Sequence, residues 1–124
     1  MIAYLSGEIG WEFVSQILVQ NPSACYAHAI NLAEVYYVFM RRGGIQAAEN
    51  AIEDLRDAGV IPREDFDAEL WKEAASIKAT YPLALPDGFC IALAKRIGGT
   101  VLTTDHREMD TLVPLNIVPI AFIR

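Results

Sequence analysis

Apolar residues recur along the 124-residue chain in two rhythms, one helical and one of short unbroken runs. Trp11, Val14, Ile17 and Leu18 fall at helical spacing between about Gly10 and Val19, and Asn21-Pro22-Ser23 then breaks the chain. The run Ala24 to Ala27 predicts a strand. A helix follows from about Ala29 to Arg42, with Arg41 and Arg42 in its last turn, where cations complement the helix dipole. Gly43-Gly44 is its stop. A more polar helix spans about Ile45 to Asp57 and ends at Ala58-Gly59, and Val60-Ile61-Pro62 predicts a short strand. From about Asp67 to Thr80, Leu70, Trp71, Ala74 and Ile77 mark an amphipathic helix that Tyr81-Pro82 stops. Pro86 suits the first turn of the next helix and Gly98-Gly99 its end. Thr100 to Thr104 and Ile117 to Ile123 predict two more strands.

Strands separated by helices predict an α/β fold, a three-layer sandwich in which helices flank a mainly parallel sheet. The length fits one domain over residues 1–124, able to bury roughly two thirds of its unfolded surface. Apolar residues make up 53% of the chain, which predicts a dense core. Folds of this class place their sites beyond the carboxyl ends of the strands.

A net charge of −6 argues against binding nucleic acid through a broad basic surface. It leaves room for an enzyme that meets nucleic acid through carboxylate-bound cations, because the metal reverses the local sign. Cys25 and Cys90 match no zinc spacing and read as small buried hydrophobes in a reducing compartment. No apolar stretch is long enough to span a bilayer, and MIAYLSGEIGWEF has neither a basic leader nor a cleavage site. A cytoplasmic location is the expectation.

Three acids sit where a soluble domain has least use for them. Glu34 is the only charge between His28 and Met40, Asp87 opens the apolar run PDGFCIALAKRIGG, and Asp105 ends the strand-like TVLTTDH. Burying a charge costs several kcal/mol unless it is paired, protonated or bound to a cation, so three such acids from distant segments suggest a converging metal site. Each has a plainer reading. Glu34, one turn from Asn31, can be a surface glutamate. Asp87 can complement a helix dipole, and Asp105 can cap a following helix. Thr103 and Thr104 add hydroxyls beside Asp105. His106 and Asp110 have the spacing of a helical metal pair without an HExxH pattern, and with Glu108 they also fit a solvated loop. His28 reads as a polar strand residue.

These segments resemble the PIN-domain family of nucleases, which includes many toxins of bacterial toxin–antitoxin pairs (the VapC-like type). NLAEVYYVFMRRG resembles that family's acidic helix, LPDGFCIALAKRIGGTVLTTD its Asp-led helix and Thr-x-Asp strand, and IVPIAFIR its last strand. The resemblance implies that Glu34, Asp87 and Asp105 are three of the family's four acidic positions, with Glu108 or Asp110 as an auxiliary ligand. It further implies one or two Mg²⁺ or Mn²⁺ ions that lower the pKa of a water for in-line attack on an RNA phosphodiester. Lys95, Arg96 and Arg107 are then placed to contact phosphates, and an antitoxin protein is an expected partner, its Arg reaching the acidic pocket.

Family members begin with an apolar strand ending in Asp, then Ser or Thr two residues on, then a run much like Ile2-Ala3-Tyr4-Leu5. That run is present and Met1 stands directly before it, so the resemblance implies an N-terminally shortened chain without the first strand and its Asp. Weak or absent cleavage is expected of the chain beginning at Met1, and full activity of an upstream-extended form; equal Mg²⁺-dependent cleavage by both would contradict this. Unpaired strand edges would favour a homodimer or higher oligomer, against which a strict monomer at high concentration would count. A catalytically inactive PIN-like module that binds an antitoxin or another protein is the alternative, and a small structural α/β protein whose acids are caps is a third.

Overall fold

The computed structural model describes residues 12, 16, 19, 20, 25–103 and 109–122. Glu12, Gln16, Val19 and Gln20 are helical, in keeping with the helix expected up to Val19; the rest of that helix, Ile2-Ala3-Tyr4-Leu5, Asn21-Pro22-Ser23 and Ala24 lie outside the described residues. The chain divides into two units, Met1–Glu64 and Asp65–Arg124.

In the first unit β1 (Tyr26–His28) leads directly into α1 (Ala29–Asp57), and the chain returns as β2 (Ile61–Arg63). The strands pair in parallel, Tyr26 opposite Ile61 and His28 opposite Arg63, so α1 is the crossover that a parallel pair requires. The strand expected at Ala24 to Ala27 thus extends to His28, which also caps the helix. Its Nδ1 accepts the Ile30 N–H at 3.1 Å and the ring is buried. A capping imidazole ends the strand and begins the helix within one residue.

Gly43-Gly44 bends α1 where the sequence expects two helices. Gly44 has φ 85° and ψ −174°, a backbone conformation essentially confined to glycine. Beyond the bend the helix resumes, and the Tyr36 hydroxyl donates to Glu49 at 3.0 Å, which ties the two arms together. Val35 from the first arm and Ala51 and Leu55 from the second bury against Ala27 and Val60, with Leu32, Phe39 and Ile52 packed around them.

In the second unit α2 (Ala68–Thr80) packs against α3 (Leu85–Ile97), and β3 (Val101–Thr103) pairs in parallel with β4 (Ile120–Phe122). Asp67 caps α2 by accepting the Leu70 N–H at 3.2 Å. Leu70, Ala74 and Ile77 form its buried stripe, whereas Trp71, expected among them, is exposed. α3 begins with Pro86 in its first turn and ends at Gly98 in the left-handed conformation, φ 66°. Ile91, Ala92, Leu93 and Ala94 are all buried, the mark of a helix enclosed on most sides. A single 3₁₀ turn at Val113–Leu115 precedes β4. Met109 and Leu112 beside it are buried, while Asp110 between them is exposed. Both strand pairings are parallel and both are short, giving an α/β fold with small sheets. No helix among the described residues is long and apolar enough to cross a membrane.

Candidate metal centre

Glu34 lies in the first arm of α1, half-buried beside half-buried Asn31 one turn earlier. The apolar face of that arm packs inward through Val35, and Glu34 sits at its margin, between the two positions the sequence left open. Asp87 occupies the first turn of α3 and is half-buried as well. No side chain caps this helix, and Pro86 brings no N–H to its start. Asp87 therefore stands at the positive end of the helix dipole, which favours a negative side chain there.

β3 ends at Thr103, where the sequence places the approach to Asp105. Thr104, Asp105, His106, Arg107 and Glu108 lie outside the described residues, and Asp110 is in an exposed turn. The chain reverses at Gly98, where the Gly99 N–H reaches back to the Ala94 carbonyl at 2.8 Å, and β3 packs on α3. Among the described residues no three His, Cys, Asp or Glu side chains form a group able to hold a metal.

Gly88, directly after Asp87, is a residue that the sequence pattern passed over. A Cβ there would lie 2.6 Å from the Ala74 carbonyl oxygen, so α2 and α3 meet through this glycine. The only hint in the sequence was a glycine in the first turn of a helix, where it costs about 1 kcal/mol relative to alanine.

The basic end of α3 is engaged with the protein itself. Lys95 pairs with Glu73. Arg96 makes a two-pronged contact with Asp67, at 2.6 and 2.7 Å, and a third with Asp65 at 3.2 Å. Lys95 and Arg96, the residues expected to contact phosphates, thus bond the end of α3 to α2 and to the residues just before it. The Arg96 guanidinium holds the Asp67 carboxyl well below the usual carboxylate range. A depressed folded-state pKa adds stability above the unfolded value, about 3.9, and that stability is lost as pH falls below it toward the folded value. Melting curves of the wild type and Arg96→Ala should therefore converge on acidification below about pH 4. A constant gap from neutral to strongly acidic pH would refute this.

The PIN domain family model matches residues 1–112. The chain belongs to the PIN-domain family. No curated protein matches it. PIN domains are generally nucleases and typically use divalent metals such as Mg²⁺. The match takes in α1 with Glu34, α3 with Asp87 and the segment holding Asp105 and Asp110, and stops short of β4. A set made only of carboxylates fits the hard cations Mg²⁺ and Mn²⁺, which prefer oxygen, and lacks the thiolate and imidazole donors that favour zinc.

Proposed function

We propose that this PIN domain is a Mg²⁺- or Mn²⁺-dependent endoribonuclease, acting as the toxin of a toxin–antitoxin pair in the cytoplasm. The observation that carries the proposal is the family match over α1 and α3, each of which holds a half-buried acid on an apolar element, Glu34 and Asp87. With Asp105, these residues would hold the ion, and Asp110 is the auxiliary carboxylate. When bound, the ion supplies Lewis acidity, acidifying water for attack on the phosphodiester and offsetting charge on the leaving oxygen.

The chain's own part is to fix the donors. Glu34 is carried on a helical arm anchored by its neighbour Val35, and Asp87 precedes Gly88, where α2 approaches α3 closely. Rigid placement of this kind limits the reorganisation needed when phosphate arrives. Cys25 and Cys90 are not joined in a disulfide, which suits a reducing compartment. An antitoxin would present a cation to the same acids, most effectively an Arg in bidentate contact.

Incubation of the purified chain with single-stranded and structured RNA in Mg²⁺, Mn²⁺ or EDTA tests the proposal. Weak cleavage is expected with either metal, and none in EDTA. Glu34→Ala, Asp87→Ala and Asp105→Ala should each lower the rate by ~100-fold or more, since losing even a partner that only orients a ligand costs ~10–100-fold. Cleavage indifferent to EDTA or to all three changes would reject this site. Absence of both cleavage and calorimetric metal binding would leave a protein-binding module.

A further inference from the structure

In the first unit, cations lie over rings. The Arg41 guanidinium carbon is 5.0 Å from the centroid of the Tyr37 ring, whereas Lys95 and Arg96 of the second unit lie against carboxylates. A guanidinium stacked on a ring keeps its N–H donors pointing outward around its rim, available to an anion. Tyr37 remains 48% exposed although Arg41 covers it, so part of the ring is open to a second stacking partner. Neither residue serves the core of this unit, which Val35, Ala51 and Leu55 fill.

Their position along α1 gives the pair its meaning. At 3.6 residues per turn, Glu34, Tyr37 and Arg41 fall within a strip about 60° wide on one face of the first arm, and Arg41 lies ~10 Å along the axis from Glu34. A stacked strand covers that distance in about three nucleotides at ~3.4 Å each. A net charge of −6 argues against holding a polyanion through a broad basic surface and favours local contacts.

We propose that Tyr37 and Arg41 form a subsite for single-stranded RNA beside the acidic site, with a base stacking on the open part of the Tyr37 ring and Arg41 donating to an adjacent phosphate. The inference rests on the nuclease assignment of Glu34 for its substrate, and deepens it by requiring an unpaired strand. Stacking of this kind tolerates any base, because each has a π-face.

Fluorescence anisotropy of a labelled single-stranded oligoribonucleotide, titrated in EDTA so that no cleavage intervenes, tests it. Tyr37→Ala is expected to weaken binding by about 5- to 150-fold, the equivalent of a lost base–aromatic stack. Tyr37→Phe and Tyr37→Trp should bind nearly as the wild type, since each retains a ring. Arg41→Ala should weaken binding and lower the salt slope by about 0.7, one phosphate contact on a single strand. Unchanged melting temperatures would show that these exposed changes leave the fold intact.

Binding by Tyr37→Ala and Arg41→Ala within twofold of the wild type would overturn the subsite, as would a wild type that does not bind the oligonucleotide. The two proposals fail separately. The expected binding pattern without any cleavage in Mg²⁺ or Mn²⁺ would keep the subsite and reject the nuclease. Metal-dependent cleavage with KM unchanged in both variants would do the reverse.

Discussion

Gly88→Val is expected to destabilise the protein by on the order of 3 kcal/mol, with Gly88→Ala costing roughly 1–3 kcal/mol. Ordinary carbon–oxygen contacts begin near 3.3 Å. A Cβ at position 88 would stand 2.6 Å from the Ala74 oxygen, so the helices would have to part by about 0.7 Å. The obstacle is backbone within a helix and cannot rotate away as a side chain would. Alanine's better helix propensity, worth ~1 kcal/mol, works in the opposite direction and is too small to cancel the overlap. Thermal melts would measure the loss.

Activity is the more telling readout, because Asp87 is the next residue. A displacement near 1 Å at a reacting centre can cost ~100-fold in rate, so Gly88→Ala should lose cleavage at temperatures where it is still folded. A variant with wild-type stability and wild-type cleavage would show that α2 does not set the position of Asp87.

The second large effect is expected of Ile91→Ala, at ~2–5 kcal/mol, the range for emptying a fully buried aliphatic site. Ile91 is 0% exposed and has buried residues on either side, Phe89 and Ala92 among them, so little can collapse into the space. Lys72→Ala, on the exposed side of α2, is the control and should stay within about 0.5 kcal/mol of the wild type. Urea titration separates the two, and equal midpoints would contradict the enclosed position of α3.

Much of the α/β order was legible because its signals are local. Helical spacing of Leu70, Ala74 and Ile77, Pro86 at a helix start and Gly98 at its end depend on the chain's own torsions and side-chain period. Gly43-Gly44 likewise announced a break, and the structure turns there at Gly44. Elements of three residues were found with their edges displaced. The strand expected from Ile117 begins only at Ile120, and that at Val60 to Pro62 becomes Ile61–Arg63, because pairing partners rather than composition set their limits.

The residues that escaped are those defined by distant neighbours. Nothing in the sequence around Lys95 and Arg96 indicates Glu73, Asp65 and Asp67 as their partners. The closeness of Gly88 to Ala74 is equally a property of two helices together. His28 is intermediate: a polar residue at a strand end was visible, but its role as a cap required the geometry of Ile30. For the acids, Glu34 and Asp87 each stood out by their apolar settings, and both are half-buried.

The bend in α1 carries a further consequence for the tolerance of this chain to insertions and deletions. A straight rod of 29 residues would reach about 43 Å, but here the direction changes at Gly44. Adding or removing one residue between Val35 and Gly44 would turn everything downstream by about 100°. Ala51 and Leu55 would then face away from Val35, and Glu49 would swing clear of the Tyr36 hydroxyl. The spacing from residue 35 to residue 44 is thus held in phase, and length variants of this protein should be found outside that interval.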